Sequence, residues 1–126
     1  MSDNQFKGKT GIVRIVNAFR YSLMGLGSAF RHESAFRQEL VVAAIMAIIA
    51  MLLPATWAQR ALLLSSLVIV MMIELLNSAI EATVDRVSEE RHPLAKRAKD
   101  MGSAAVLLAL VNCAIIWGLV LIDILI

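Results

Sequence analysis

The sequence predicts an all-α integral membrane protein, with an N-terminal amphipathic helix on the membrane surface and three helices that cross the bilayer. Three observations predict it. Sixty per cent of the 126 residues are hydrophobic and only 17% are charged, more apolar surface than so short a chain can hide within itself, so lipid must serve as its solvent. Three long apolar stretches follow one another, separated by turn signals. The twelve Lys and Arg fall almost entirely on one side of those stretches.

Residues 11–31, "GIVRIVNAFRYSLMGLGSAFR", carry Ile12, Ile15, Val16, Phe19, Leu23, Leu26 and Phe30 at steps of three or four. Arg14, Asn17, Tyr21, Gly25 and Ser28 fall largely on the other face, the pattern of a basic amphipathic helix lying in the membrane interface. Packing on a soluble partner is the alternative use of such a face.

Spanning helices are expected at about 35–53, 61–85 and 100–122, within one domain of residues 1–126. The first borrows "SAFRQE" to reach spanning length. "LPATWAQ", 53–59, is a tight turn: Pro54 breaks the helix and Trp57 suits the interface, so helices one and two form an antiparallel hairpin. "DRVSEERHPLAKRAKD", 85–100, is charged, contains Pro93 and reads as a loop in water.

Lys7, Lys9, Arg14, Arg20, Arg31 and Arg37 precede the first span; Arg86, Arg91, Lys96, Arg97 and Lys99 lie between the second and third; Arg60 alone lies opposite. This bias puts the N-terminus and the 85–100 loop in the cytoplasm. No secretory signal peptide, zinc-ligand pair or P-loop is present, and "GLG" at 25–27 is too short for a nucleotide fingerprint. The single cysteine, Cys113, sits in an apolar run and is expected to be a buried, inert thiol.

The second span ends unusually, in "ELLNSAIEATVDR", 74–86. At 100° per residue, Asn77 lies about −60°, Glu81 about −20° and Asp85 about +20° from Glu74, one stripe about 80° wide. A carboxylate at membrane depth costs a few kcal/mol and is tolerated facing a bundle interior, a cation or water. One such residue is accounted for by hydrogen bonding between helices. Four on one stripe, ending at a basic loop, favour a functional site. Glu33, Arg37 and Glu39 before the first span, and Lys99, Asp100 and Ser103 at the start of the third, can reach the same interface. Paired carboxylates suit Mg²⁺, Lys and Arg suit phosphate oxygens, and Glu74, the deepest carboxylate, suits a base acting on a hydroxyl in the lipid layer. Together these are the parts of phosphoryl transfer.

"ESAFRQE" (33–39), "ELLNSAIEATVDR" (74–86) and "RAKDMGSAAV" (97–106) resemble the prokaryotic diacylglycerol kinase family, over nearly the whole chain from about Thr10 to the end of the third span. The Gram-negative lipid-recycling type is the nearer likeness; the undecaprenol kinases of Gram-positive bacteria share the family. The resemblance implies a homotrimer in the bacterial inner membrane that transfers the γ-phosphoryl of MgATP to the hydroxyl of 1,2-diacylglycerol, giving phosphatidic acid and ADP. It implies Glu74 as general base and Glu33 and Glu81 as Mg²⁺ ligands. Arg14, Tyr21, Glu90, Lys99 and Asp100 would line the nucleotide along with those two carboxylates. Arg14, Ala35, Phe36, Arg37, Gln38, Glu39, Arg60 and Ser103 would border the lipid beside Glu74, and Asn77 and Asp85 would support the site. No nucleic-acid partner is expected.

The chain departs from the family pattern at Leu23-Met24, where Trp-Lys is usual, at Asn17 in place of Lys, and at Ser88-Glu89 in place of Gly-Ser; these bear on nucleotide contacts rather than on the chemistry. Two other readings remain open. A polyprenol kinase of the same family would take a different acceptor. A small oligomeric channel or proton relay would use the acidic stripe for flux without ATP, but gives no reason for Glu33, Lys99 and Asp100 to gather at its mouth.

Overall fold

Local signals decide where each helix begins and ends. The computed structural model describes residues 10–87 and 91–126, which form helices α1 (Gly11–His32), α2 (Ser34–Leu52), α3 (Trp57–Val87) and α4 (Pro93–Leu125). As the sequence predicts, the regular structure of the described residues is all α-helix, and α2, α3 and α4 are each long and apolar enough to cross a bilayer. The chain is a multi-pass membrane protein.

The described chain divides into two compact units at Ser34–Ala35. The first contains α1. Gly11 opens this helix at φ +65°, a left-handed conformation that glycine adopts without a Cβ penalty. Arg31 and His32 occupy its last turn, where positive charge complements the helix dipole. Ile12, Ile15, Phe19, Leu23 and Phe30 are exposed, and Ala29 is its buried residue. A helix that leaves such a row of large apolar side chains uncovered is suited to an interface between water and lipid.

The second unit contains α2, α3 and α4. Helix α2 stops at Leu52, ahead of Pro54, as expected. Helix α3 starts four residues earlier than the apolar run suggests. Thr56 Oγ1 accepts from Gln59 N (3.1 Å) and Gln59 Oε1 accepts from Thr56 N (2.9 Å), so "TWAQ" is a capping box that holds the first turn. Helix α4 begins at Pro93, and α3 runs on to Val87, so most of the segment expected as a loop is helix. The reason is again local. Pro93 sits at the first helical position, where its missing N–H costs nothing; His92 Nδ1 accepts from Leu94 N (3.1 Å); and Lys96 pairs with Asp100 one turn on (2.6 Å).

Helices α3 and α4 run antiparallel, joined by contacts of 59 with 123, 66 with 117, 77 with 102 and 85 with 99. Near one end Gln59 Nε2 donates to Asp123 Oδ2 (2.6 Å). Toward the middle Trp117 Nε1 donates to Ser66 Oγ (3.2 Å), and that hydroxyl donates to Leu63 O (2.7 Å). The pair thus satisfies an indole N–H and a buried hydroxyl at a depth where water is absent. Cys113 is half-buried and lies beside Ser66, with Sγ 3.6 Å from Oγ. Around this clip pack Ala50 of α2, Leu63 and Leu67 of α3, and Trp117 and Val120 of α4, flanked by Ala43, Met46 and Ala47. Val41, Ile45 and Ile48 of α2 and Leu107, Leu108, Ile115 and Leu119 of α4 point outward, as lipid-facing residues do.

At 1.5 Å per residue, the 31 residues of α3 and 33 of α4 are about 46 and 50 Å long, against a hydrocarbon layer of about 30 Å. Both helices therefore continue well past the hydrocarbon, and their extensions carry the charged residues.

Candidate active site

Helix α3 buries Leu63, Ser66, Leu67, Val70, Glu74 and Asn77, one residue every three or four. The acidic stripe therefore begins as a continuation of the helix's own core-facing stripe, which turns Glu74 and Asn77 toward the bundle instead of the lipid. Glu74 is 6% exposed and Asn77 9%. Glu74 stands seventeen residues beyond Trp57, about 26 Å along the axis. With Trp57 at one interface, Glu74 lies just inside the opposite edge of the hydrocarbon, and Glu81 and Asp85 lie beyond that edge.

Each neighbouring helix of the second unit brings a residue to this point. From α2, the carboxyl of Glu39 lies within hydrogen-bonding reach of the Glu74 carboxyl. Its Oε2 is buried, and no donor among the described residues meets it. From α4, Gly102 packs so closely on Asn77 that a Cβ there would collide with Asn77 Oδ1. Asn77 Oδ1 is likewise buried without a donor among the described residues, while Asn77 Nδ2 donates to Glu81 Oε1 (3.1 Å) and braces that half-buried carboxylate.

Toward the helix ends the groups are exposed and paired. Lys99 Nζ meets Asp85 Oδ1 (2.7 Å) across α3 and α4, and Lys96 Nζ meets Asp100 Oδ2 (2.6 Å) within α4. Exposed ion pairs of this kind hold their partners weakly, so both lysines can turn to a polyphosphate. Ser103 is exposed next to Gly102.

Of the sequence-predicted site residues, the structure therefore gathers Glu39, Glu74, Asn77, Glu81, Asp85, Lys99, Asp100 and Ser103 along one end of the α3–α4 pair. Phe36 is buried, Arg37 is half-buried, and Ala35 and Gln38 are exposed on the first turns of α2. Arg60 is elsewhere, fourteen residues or about 21 Å from Glu74 along α3. Its Nε and one terminal nitrogen donate to Ala50 O (3.2 Å), in the last turn of α2, and to Leu53 O (2.7 Å), just past its end, and its guanidinium stacks on Trp57 at 4.7 Å. Arg14 and Tyr21 are exposed on α1, and Glu33 is half-buried just past its end, its N–H bonded to Ala29 O (2.9 Å). Glu90 lies outside the described residues.

Sequence reasoning missed two partnerships. Gly102 could have been suspected, since a glycine within a helix costs about 1 kcal/mol against alanine and invites a packing explanation. The pairing of Glu39 with Glu74 depends on the register between two helices and leaves no local signal.

Among the described residues, no three His, Cys, Asp or Glu side chains group closely enough to hold a metal ion. A cation here would depend on ligands from phosphate and water, the habit of Mg²⁺, and a half-exposed carboxylate braced like Glu81 fits that ion. The second unit thus offers a buried carboxyl at the lipid edge, a carboxylate for a hard cation, and lysines for phosphate: a set suited to moving a phosphoryl group onto a lipid hydroxyl.

Comparison with known proteins points the same way. The sequence profile of a family described as prokaryotic diacylglycerol kinase matches residues 20–121. The chain is 51% identical over 121 residues to a diacylglycerol kinase of Pseudomonas aeruginosa, an alignment covering 96% of this chain and 98% of that protein. It is 50% identical over 112 residues to a diacylglycerol kinase of Escherichia coli K12, covering 89% and 92%. Against a diacylglycerol kinase of Helicobacter pylori J99 the identity is 42% over 119 residues, covering 94% and 93%.

Proposed function

This chain belongs to the prokaryotic diacylglycerol kinase family, and on that premise we propose that it transfers the γ-phosphoryl of MgATP to the hydroxyl of 1,2-diacylglycerol. The products are phosphatidic acid and ADP. The observation that carries this reading is the buried carboxyl of Glu74 on the inward face of α3, about 26 Å along the helix from Trp57. That is the depth of a glycerol hydroxyl whose acyl chains stay in the bilayer.

Glu74 acts as general base. It takes the hydroxyl proton as the lipid oxygen bonds to the γ-phosphorus, and the bond from that phosphorus to the β,γ-bridging oxygen breaks with its electron pair leaving on ADP. Burial keeps Glu74 dry and fixed, and Asn77 holds Glu81 toward the polar end of the helix. Glu33 and Glu81 would be the carboxylates for Mg²⁺, which when bound would neutralise charge on the phosphoryl oxygens. Lys99 and Asp100, with Arg14, Tyr21 and Glu90, line the nucleotide. Arg14, residues 35–39, Arg60 and Ser103 border the lipid, and Asp85 supports the site by holding Lys99 until nucleotide arrives. The enzyme works as a homotrimer in the bacterial inner membrane; the distribution of Lys and Arg supports a cytoplasmic N-terminus and 85–100 segment.

The test is ATP-dependent phosphorylation of diacylglycerol in detergent micelles, with a polyprenol as the competing acceptor and liposome ion flux without ATP as the control for a channel. Glu74→Gln is expected to keep assembly and nucleotide binding while losing about 10²–10⁴-fold in turnover. Near-normal turnover of that variant at saturating lipid and ATP would remove Glu74 as the base.

A further inference from the structure

The environment of Glu74 contains a second acid that the scheme above leaves at the lipid border. The carboxyl of Glu39, on α2, lies within hydrogen-bonding reach of the Glu74 carboxyl, and its Oε2 is buried without a donor among the described residues. Two ionised carboxylates are acceptors only, and as anions at low dielectric they repel. Their contact becomes attractive when one of them carries a proton and donates it to the other. Asn77 turns its Nδ2 to Glu81, and α4 presents Gly102 at this level. On α4, Lys99 pairs with Asp85 and Asp100 pairs with Lys96.

We propose that Glu39 is the positioning residue for Glu74, a carboxylic acid whose O–H donates to one Glu74 oxygen and leaves the other aimed at the acceptor hydroxyl. The inference rests on the reading of Glu74 as the base and adds what holds it. During turnover the lipid hydroxyl loses its proton to the free Glu74 oxygen, the lipid oxygen bonds to the γ-phosphorus, and the electron pair of the cleaved P–O bond leaves on ADP. The Glu39 proton is not consumed. The Glu74 proton passes to water before the next cycle. Glu39 acts through geometry: a carboxylate free to turn becomes one held through one oxygen with the other presented to the hydroxyl, and misplacing a reacting group by about 1 Å can cost about 10²-fold.

A neutral donor of the same length should therefore serve, whereas removing the donor should not. Glu39→Gln is expected to retain most of the wild-type kcat. Glu39→Leu and Glu39→Asp, one without a donor and one too short, are expected to lose tenfold or more in kcat, with KM for diacylglycerol and for MgATP within twofold of wild type. In a Glu74→Gln background Glu39→Leu should have no further effect, because the group it positions is already gone. If Glu39→Leu fails to assemble, Glu39→Asp and the Glu39→Asp/Glu74→Gln double variant carry the same test.

Equal loss in Glu39→Gln and Glu39→Leu would mean that Glu39 works as an anion, and would overturn the proposal. So would a rise in KM for diacylglycerol at unchanged kcat, which would return Glu39 to lining the lipid. A further full loss on top of Glu74→Gln would make the two residues independent, with the same consequence. An inactive Glu74→Gln beside a fully active Glu39→Leu would overturn this inference alone, whereas an active Glu74→Gln would overturn the base reading and this one with it.

Discussion

Gly102→Ala tests how closely the braced carboxylate depends on helix packing. Gly102 lies within α4 in ordinary helical geometry, so alanine there should gain about 1 kcal/mol of helix propensity. Against this gain stands the collision of the new Cβ with Asn77 Oδ1. The atom it meets is the end of a side chain, so the cheapest relief is rotation of the Asn77 amide. That rotation carries Nδ2 away from Glu81 Oε1 and breaks a 3.1 Å hydrogen bond to a charged acceptor. Such bonds contribute roughly 1.5–3 kcal/mol, and because Glu81 is half-exposed the lower end applies. The net expectation is a loss of about 0.5–1 kcal/mol.

Gly118, also in α4, has no atom within 4 Å of its virtual Cβ and provides the control. Gly118→Ala should gain up to about 1 kcal/mol, so the two variants should differ by about 1.5–2 kcal/mol in denaturant unfolding from micelles. The functional consequence is larger than the stability one. With Glu81 unbraced, Gly102→Ala should raise the Mg²⁺ concentration needed for half-maximal rate severalfold, in the direction of Glu81→Gln. Gly118→Ala should leave it unchanged. Equal stabilities of the two alanine variants and an unaltered Mg²⁺ requirement in Gly102→Ala would refute the reasoning.

Two further outcomes follow from Lys99 and Arg60, at opposite ends of the α3–α4 pair. Lys99→Ala should raise KM for MgATP about tenfold and Lys99→Arg should recover only part of it, because a planar fork does not reproduce a compact ammonium. Lys96→Ala should have little effect on the ATP dependence, and steady-state kinetics against MgATP separate the three variants. Arg60→Ala removes the guanidinium donors to Ala50 O and to Leu53 O, of which Leu53 O keeps Ala55 N (2.8 Å), and should cost about 2 kcal/mol in unfolding measurements. Arg60→Lys, which lacks the fork that spans Ala50 O and Leu53 O, should recover less than half of that loss.

Much of this architecture was legible because membranes impose a coarse code. Apolar length, the position of Lys and Arg and a 100° helical increment were enough to lay out three spans and to put Glu74, Asn77, Glu81 and Asp85 on one face. What stayed hidden had two physical causes. Some signals were overlooked beside stronger ones. The Thr56–Gln59 box and the His92–Pro93 start are short polar motifs, and polarity alone made 53–60 and 85–100 read as connections. Other features exist only between helices. No spacing within α2 or α3 says that Glu39 meets Glu74, that Gly102 presses on Asn77, or that Arg60 spends its donors on Ala50 O and Leu53 O. Family likeness puts Arg60 beside the lipid without saying where along it, and the structure sets Arg60 about 21 Å from Glu74 along α3, at the far end of an acyl chain rather than at its headgroup.

The unbroken passage of α3 from the Leu63 layer through Glu74 to Asp85 has a consequence for traffic. A lipid and a nucleotide have no common solvent, and an enzyme that joined them in one closed pocket would have to strip one of them from its own phase. A single continuous helix graded from grease to carboxylate removes that need. The lipid can slide in sideways with its tails undisturbed, the nucleotide can dock from water against the far rungs, and the two are in register because both are measured along the same rod. The clips at Ser66–Trp117 and Gln59–Asp123 keep that rod from sliding against α4. Alignment of the two substrates is then set by helix register, and no moving cover is required to achieve it.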